Sequence, residues 1–505
     1  MYPAAEPCPA PRRGRTKEQH LKRIDLLPWR QALALGLCWA GVAGAASRSL
    51  GLDEALERVL AQSKEVQLAR AGVAQAAGDQ LVARSQFYPQ VAATAGYTRT
   101  LKSQFEGLGG SAAPDSTAQG APPDTSSNSS FFEDLPFGQK NQYSLGLSLS
   151  QNLFAGGRLT AQKRGADARY RSAALSLSMA RAQALLEVTR RYYDALLAEQ
   201  LSLIADSSLV QAEAVLAQTE ASWKEGQKSE YELLRAQVVR DNQLPLVLQR
   251  HSEKDQAHLR LKELLNLSFD DSLRLTTGPD VPLPRFAAAA DTSAGQRAPV
   301  RQAHEGVASS EAQLRAARGE RLPALSLSSR YTPVAYPRRG LPGWGDFRSD
   351  WTVGVSLSLP LLTGRRLAGS EGAARSQVEA ARTRLAQASQ TADLEARTVQ
   401  RDLAQAEASL QATATTVAQA RRAYGIAELR YREGLSTQLE LSDARLLLDQ
   451  ALANQARAAC TLQVARAKRS LLSELPLPGS GAQLISVPAS AMPAQMTTST
   501  SAGSF

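Results

Sequence analysis

The residues that could carry out acid–base, metal or nucleophilic chemistry are few in this sequence and stand far apart. Its four histidines are His20, His251, His258 and His304, and no nucleophile, metal-ligand set or phosphate-binding loop stands at the spacing that such chemistry needs. Of the three cysteines, Cys460 alone lies beyond the amino-terminal segment described below, so no intrachain disulfide is expected. The sequence therefore predicts no enzyme, no bound metal and no cofactor.

The second half of the chain repeats the first half at a constant offset of 208 residues. The string LGLSLS at 145–150 returns as VGVSLS at 353–358, and WKEG at 223–226 returns as YREG at 431–434. A register held over so long a stretch indicates one structural unit that is present twice. Aromatic residues make up only 5% of the chain, and the long segments rich in Ala, Leu, Gln, Arg and Glu are typical of long helices.

The amino-terminal segment has the order of a secretory signal peptide. Basic residues precede an uncharged run from Gln31 to Ala46, which ends in small residues and is too short for a membrane-spanning helix. Cys38 faintly resembles a lipoprotein cleavage site, but Leu37 stands where a small residue is expected, so a conventional signal is favoured. No other segment approaches ~18 consecutive apolar residues, and any membrane crossing must therefore use strands.

Composition and the repeat divide the chain into four segments. Each repeat is expected to run as a helix, two strands and a long helical hairpin, and the first helix of the chain is predicted from Leu52 to Gln86. The net charge of +10 is spread among acidic residues and does not indicate a nucleic-acid surface. The segments are a signal peptide at 1–46, a first repeat at 47–290, a second repeat at 291–475 and a disordered tail at 476–505.

Each repeat contains two segments that alternate between apolar and polar residues, a pattern typical of strands. They begin at Val91 and Tyr143 in the first repeat and at Leu325 and Trp351 in the second. Each is about ten residues long, which suits a tilted strand that crosses a bilayer. About half of the aromatic residues lie in or beside these segments, as in the aromatic girdles of an outer-membrane barrel.

Four strands cannot close a barrel by themselves, because bacterial barrels begin at about eight strands and keep even numbers. Lipid forbids an open sheet edge, so two or three copies of the chain must share one barrel. The segments between the paired strands, 101–139 and 333–350, are expected to be extracellular loops. A soluble pair of β-hairpins is the alternative, and it is less favoured because a signal peptide precedes them.

Two segments without proline, 159–224 and 367–432, predict helices on the order of 100 Å long at ~1.5 Å per residue. Their Ala and Leu stripes indicate lateral packing in coiled-coil fashion. The chain reverses at Gly226 and Gly434, within the repeated WKEG and YREG strings. It then returns along two shorter predicted helices, 231–267 and 439–472.

The repeated strand-to-helix turns at 153–158 and 361–366, together with the repeated tips, resemble the TolC-like outer membrane efflux protein family over residues 50–475. The resemblance implies an α+β membrane protein in which three chains, with four strands each, share an outer-membrane β-barrel continued by an α-helical tunnel across the periplasm. The implied partners are two further copies of the chain, a periplasmic adaptor (membrane fusion protein), an inner-membrane pump and outer membrane lipid, with no nucleic acid.

In that family the helical tips dock onto the adaptor. The matching residues here are Gly226 and Gly434, with the acids that precede them, Glu225 and Glu433. Glycine allows the chain to reverse with a positive φ and allows the backbone of a partner to approach closely. These four residues are therefore expected to form the docking tips, although termination of a helix by glycine also explains the local sequence.

The resemblance further implies a periplasmic aperture that is closed by acids after the second tip and latched by a tyrosine before it. The matching positions are Tyr431, Glu440 and Asp443, with Glu232 in the first repeat. Carboxylates gathered around one axis attract cations and respond to protonation. Ser436 stands where the best-known family member has a latch arginine, so that link is not expected here. Acids on a solvated helix face are the alternative.

The function implied is that of an outer membrane channel in tripartite efflux or type I secretion. Such a passive duct carries drugs, dyes, metal ions or secreted polypeptides, and all four cargo classes stay open here. A purely structural periplasmic coiled-coil protein would leave the alternating aromatic segments unexplained. A periplasmic adaptor without a barrel would have one helical hairpin rather than two.

Overall fold

The computed structural model describes residues 48–101, 141–281, 293–337 and 341–478. The segment assigned to the signal peptide, nearly all of the predicted loop 101–139 and most of the tail lie outside the described residues. Within these ranges, no helix is both long and apolar enough to cross a membrane.

The first repeat begins with a short strand and two consecutive helices, continues with two long strands and ends in a helical hairpin. Its elements are β1 (Arg48–Leu50), α1 (Leu52–Gln62), α2 (Lys64–Ser85), β2 (Gln90–Arg99), β3 (Asn141–Ala155), α3 (Arg158–Lys224) and α4 (Glu230–Leu264). The prediction of a single helix from Leu52 to Gln86 is wrong, because Ser63 interrupts it with a ψ of 128°.

The second repeat has the same order of long elements, preceded by one short strand. Its elements are β4 (Leu273–Leu275), α5 (Ala298–Gly319), β5 (Ala324–Ala335), β6 (Arg348–Ser358), α6 (Arg366–Arg432) and α7 (Gln438–Leu471). Strands β5 and β6 extend into the segment that was expected to be the loop 333–350. The connection between these strands is therefore shorter than predicted, since cross-strand pairing continues to Val334 and Arg348.

Two pairs of equivalent helices have equal lengths in the two repeats. Helices α3 and α6 both contain 67 residues and begin 208 positions apart, which confirms both predicted long helices to within one residue. Helices α2 and α5 both contain 22 residues and begin 234 positions apart. The difference between the two offsets is accounted for by the longer connection between β2 and β3.

The turn from strand into long helix is left-handed in both repeats. Gly157 has a φ of 76°, and Arg365, its counterpart 208 residues later, has a φ of 65°. Glycine adopts this conformation without a steric penalty, whereas an arginine there is strained. A Cβ atom on the neighbouring Gly156 would lie 2.5 Å from the carbonyl oxygen of Gly319, so the end of α5 packs directly on the first turn.

The four long strands form one antiparallel sheet in the order β2-β3-β5-β6. The register places Leu147 of β3 opposite Ala93 of β2 and opposite Tyr331 of β5, which in turn faces Trp351 of β6. Side chains of successive residues alternate between the two faces, so this row and its neighbours form an apolar face opposite a polar one. Strands β2 and β6 are the two edges of the sheet.

A hydrophobic core lies around the middle of α3. Leu50, Leu52, Tyr192 and Leu265 are fully buried in it. The Tyr192 hydroxyl donates a hydrogen bond to the Leu50 carbonyl at 3.2 Å and accepts one from the Thr277 amide at 2.9 Å, which ties the parallel pair β1–β4 to α3. Neither of these strands was predicted, because three residues carry no periodic pattern.

A buried arginine joins the start of the second repeat to its end. The Arg297 guanidinium is fully buried and donates to the carbonyl oxygens of Leu472 and Ala392 at 3.1 and 3.0 Å. It also donates to the Glu395 carboxylate at 2.7 Å. Since all three guanidinium nitrogens have partners, this contact fixes α5 against both α6 and α7.

Candidate functional site

The two helical tips have the same closed geometry, as the repeat predicts. Gly226 follows the end of helix α3 with a φ of 76°, and Gly434 follows the end of helix α6 with a φ of 72°. In the first tip the Gly226 amide donates to the Trp223 carbonyl at 2.8 Å, and the next amide donates to the Ser222 carbonyl at 2.9 Å. The second tip repeats both bonds, so each glycine ends its helix in a Schellman motif.

Nothing in the described chain covers these glycines. A Cβ atom added to Gly226 or to Gly434 would meet no atom within 4 Å. The preceding acids, Glu225 and Glu433, are both exposed, and the Glu225 carboxylate accepts a 3.1 Å hydrogen bond from the Gln227 amide group. The four residues predicted for docking therefore lie together at exposed ends of the two hairpins, and only the backbone conformation restricts the glycines.

A polar residue caps the helix that leaves each tip. The Ser229 hydroxyl accepts a hydrogen bond from the Glu232 amide, and the Thr437 hydroxyl accepts one from the Glu440 amide. Both acids therefore occupy the third helical position, where a negative side chain is favoured by the helix dipole. Local helix stability alone can account for an acid at these two positions.

The two acids predicted after the second tip share one exposed helix face. Glu440 and Asp443 are three residues apart on α7, a spacing that brings side chains together. Both are exposed, and the Glu440 carboxylate lies 3.9 Å from the Arg430 guanidinium in a pair that water screens. Among the contacts of the described residues, none joins either acid to Tyr431.

Tyr431 is buried against the other tip. Its hydroxyl accepts a 2.8 Å hydrogen bond from the Lys228 ammonium, which also lies 4.0 Å from the ring centroid. The same hydroxyl lies 3.0 Å from the Thr219 hydroxyl, which itself donates to the Val215 carbonyl. Because the Thr219 proton is used in that bond, the Tyr431 proton points to Thr219, and the three residues form one directed chain.

Lys228 and Thr219 were missed by the sequence prediction. Lys228 lies 208 residues before Ser436, the position at which the sequence analysis expected no link to Tyr431. The cation beside Tyr431 is thus supplied by the tip of the other repeat. A comparison of the two tips at the repeat offset, looking for a basic residue in either one, would have identified Lys228.

A second polar contact joins α3 to α7 several helical turns away from the tips. The Asp449 carboxylate accepts a 2.6 Å hydrogen bond from the Ser208 hydroxyl. The Arg445 Nε lies 3.0 Å from the other carboxylate oxygen, close enough for an ion pair but without the alignment of a hydrogen bond. Burial raises the pKa of the Asp449 carboxyl, and the bond from Ser208 and the charge of Arg445 oppose this change.

Two histidines that are scattered in the sequence pair with acids in the structure. His251 of α4 lies 2.9 Å from Asp206 of α3, and His258 lies 2.9 Å from Glu199. The two pairs are one heptad apart on antiparallel helices, so they link the first hairpin along its length. Only the first has hydrogen-bond alignment. In the described part of the chain, no three His, Cys, Asp or Glu side chains form a group that could hold a metal.

Residues 55–267 and 290–473 match the family described as Outer membrane efflux protein, and together they cover well over half of the sequence. The chain belongs to the outer membrane efflux protein family. This efflux protein is therefore an outer membrane protein of a family of efflux channels rather than of enzymes. Its sequence matches no curated protein.

Solved outer membrane channels have the fold of this efflux protein. The open state of the MtrE channel of Neisseria gonorrhoeae superposes with a TM-score of 0.65 at 18% identity, over 84% of this chain and 89% of MtrE. VceC of Vibrio cholerae gives 0.63 at 18%, over 84% and 96%. CmeC of Campylobacter jejuni gives 0.62 at 17%, over 84% and 86%. The predicted TolC-like arrangement of long helices and strands is thus confirmed.

Proposed function

We propose that three copies of this efflux protein form a passive duct, in which their twelve strands close one outer-membrane barrel and their long helices continue it as a periplasmic tunnel. The observation that carries the proposal is the four-stranded sheet, which has one apolar face, one polar face and an edge strand, β2 or β6, at each side. Such a sheet can enter lipid only when further strands pair with both edges. Barrels of twelve strands fall within the known range.

We also propose that the tips dock onto a periplasmic adaptor, itself joined to an inner-membrane pump, and the shape of the tips supports this. Gly226 and Gly434 end long helices in exposed turns, with Glu225 and Glu433 beside them. Tyr231 and Leu435 add apolar surface, since each side chain is 70% exposed in the described chain. An apolar tip with acidic neighbours suits a protein partner. Neither a purely structural coiled coil nor a lone adaptor would need the two-faced sheet.

A closed aperture at the tips is the second part of the proposal. In the closed state, Tyr431 is held by Lys228 and Thr219, which keeps the second long helix against the first tip. Glu440 and Asp443 would face the axis and attract cations there, and Glu232 of the first tip is the weaker candidate for the same role. Opening would then require that the contact between Tyr431 and Lys228 break.

The test is purification of the mature protein in detergent, followed by mass determination and conductance recording in planar bilayers. We expect a trimer that forms stable pores, together with a membrane-bound location on cell fractionation. A monomer that stays soluble without detergent would contradict the duct. An epitope tag inserted near Ser126 should bind antibody on intact cells, because the first long connection is proposed to be extracellular; binding only after the outer membrane is opened would invert the topology.

A further inference from the structure

The polar face of the sheet carries very little charge. Along β2 and β3, the residues on this face are serine, threonine, glycine and other uncharged types, and the same holds for most of β5 and β6. In a transmembrane barrel the apolar face meets lipid and the polar face lines the lumen. Within the described strands, three charged residues lie on this face: Arg330, Arg348 and Asp350.

Arg330 lies in the middle of β5. Its cross-strand neighbours are Ser148 on one side and Thr352 on the other, both much shorter than an arginine. The side chain is exposed, and the ion pairs and hydrogen bonds of the described residues do not include it. The guanidinium therefore extends beyond these two neighbours. Asp350 lies diagonally across from it on β6, opposite Thr332, and the two residues form no ion pair. A charge at mid-strand is expensive on a lipid-facing surface, which independently assigns this face to the lumen.

The face carries two arginines and one acid within the described strands, so its net charge is positive. Arg348 and Asp350 lie two residues apart near the start of β6, on the same side of the strand and with opposite signs. The position that corresponds to Arg330 in the first repeat, 234 residues earlier, is Gly96. The described strands of each chain thus contribute a net charge of +1 to this face, and its three charged residues belong to the second repeat.

We propose that Arg330 is a charge-selectivity residue of the barrel lumen, which favours anions and hinders cations at the middle of the barrel. The inference rests on the proposed trimeric duct, where three copies of Arg330 lie at one level. A guanidinium keeps its charge at every physiological pH. Its field reaches about 10 Å at 0.1 M salt and about 3 Å at 1 M. Arg330 would thus oppose the aperture acids, which attract cations at the other end of the duct.

The experiment is the measurement of the K⁺/Cl⁻ permeability ratio of the full-length mature protein in planar bilayers. At 0.1 M KCl we expect Arg330→Gln to raise this ratio about twofold and Arg330→Glu to raise it further, with both effects vanishing near 1 M KCl. Arg330→Lys should keep the wild-type ratio. Arg99→Gln is the matched control, because it removes the same charge from the end of β2 on the apolar face.

A thiol variant gives a second readout that does not depend on Arg330→Gln. Arg330→Cys should raise the K⁺/Cl⁻ permeability ratio. A thiosulfonate reagent that attaches an ethylammonium group returns a positive charge to this position, and it should lower the ratio to the wild-type value. The native Cys460 is only 6% exposed, and burial raises the pKa of its thiol to about 12, so it should not react. A thiol at 330 that fails to react from water, or reacts without effect on the ratio, overturns the proposal.

The results distinguish a failure of the role proposed for Arg330 from a failure of the proposed duct. Wild-type pores whose ratio is unchanged in Arg330→Gln, or changed equally in Arg99→Gln, overturn the role of Arg330 and leave the duct intact. A wild-type protein that forms no pores overturns the duct, and the role of Arg330 with it.

Discussion

The Lys228 ammonium lies 2.8 Å from the hydroxyl oxygen of Tyr431 and 4.0 Å from the centre of its ring, so that one cation contacts both the polar and the aromatic part of a buried tyrosine. The two residues belong to different repeats and different hairpins. Separation of the hairpins at this end must therefore break a charge-assisted hydrogen bond and a cation–π contact together.

Substitution of Lys228 by methionine should loosen this contact. Methionine keeps much of the side-chain volume but leaves the Tyr431 hydroxyl without its charged donor, which should lower the free energy of local opening by roughly 1.5–3 kcal/mol. Hydrogen exchange of the last turn of α6 would measure the loss, and bilayer recordings should show longer open times. Lys224→Met is the control, since Lys224 forms an exposed pair with Glu220 that contributes about 0.3–0.5 kcal/mol. Equal behaviour of the two variants would refute the latch.

Replacement of Gly226 or Gly434 by tryptophan should abolish export while the trimer stays folded. The added side chain enters open space, so the internal penalty is the positive φ alone, about 1–2 kcal/mol. Export by cells that hold the cognate adaptor and pump is the readout, with trimer mass measured beside it. Gly425→Ala, inside α6 at an ordinary helical φ, should leave export unchanged. Normal export by both tip variants would argue against docking.

Removal of the acids after the second tip tests their place at the aperture. The double change Glu440→Ala with Asp443→Ala should lower cation selectivity and weaken block by divalent cations, because it removes up to six carboxylates from the proposed ring of the proposed trimer. Glu65→Ala with Asp79→Ala removes the same charge from the exposed face of α2 and should change neither property. If selectivity and block stay at wild-type values, the acids serve only as part of a solvated helix face.

The buried arginine should be among the most sensitive positions for stability. Arg297→Met leaves Glu395 charged and unpaired in the interior, which typically costs about 3–5 kcal/mol. Adding Glu395→Met should recover most of that loss. Arg171, which is half-exposed in its ion pair with Glu305, is the control, since Arg171→Met should cost less, about 1 kcal/mol. Thermal unfolding of the detergent-solubilised protein would rank the three variants, and equal losses for Arg297 and Arg171 would contradict the buried role.

Asp449 should make stability depend on pH. Because burial raises its folded-state pKa above the unfolded value of about 3.9, its contribution is fully present below that value and is lost as the pH rises through the folded pKa. Asp449→Asn imitates the protonated group, so the melting temperature of this variant relative to that of the wild type should increase as the pH rises above about 4. Asp402→Asn, exposed on α6, should follow the wild-type profile. Parallel profiles for Asp449→Asn and wild type would contradict this assignment.

The long elements could be predicted from the sequence because each of their sequence patterns occurs in both repeats. Glycine marks the end of α3 and of α6, and the alternation of apolar residues marks the four long strands. The break at Ser63 and the short pair β1–β4 could not be predicted, since each depends on packing against α3 rather than on a local pattern. The acids and glycines of the tips were predicted by position alone.

The partners of those tip residues escaped prediction for a different reason. Tyr431 and Lys228 are separated by 203 residues, and each looks like an ordinary helix-end residue in its own segment. The contact exists only when two hairpins pack side by side, and one sequence holds no record of that packing. The pairs of His251 and His258 with acids of α3 were missed in the same way.

The contact between Tyr431 and Lys228 also shows that the two repeats have diverged in sequence. At the repeat offset of 208, Tyr431 corresponds to Trp223, Lys228 to Ser436 and Thr219 to Ala427, so the reciprocal contact has neither a hydroxyl on the ring nor a cation to bind it. Two identical repeats would present the same residues at both tips, so a contact made by Tyr431 of one tip and Lys228 of the other requires that the repeats differ. The two repeats have become complementary. Exchanging or deleting either repeat would remove Tyr431 or its partner Lys228, and with it the contact between the two tips.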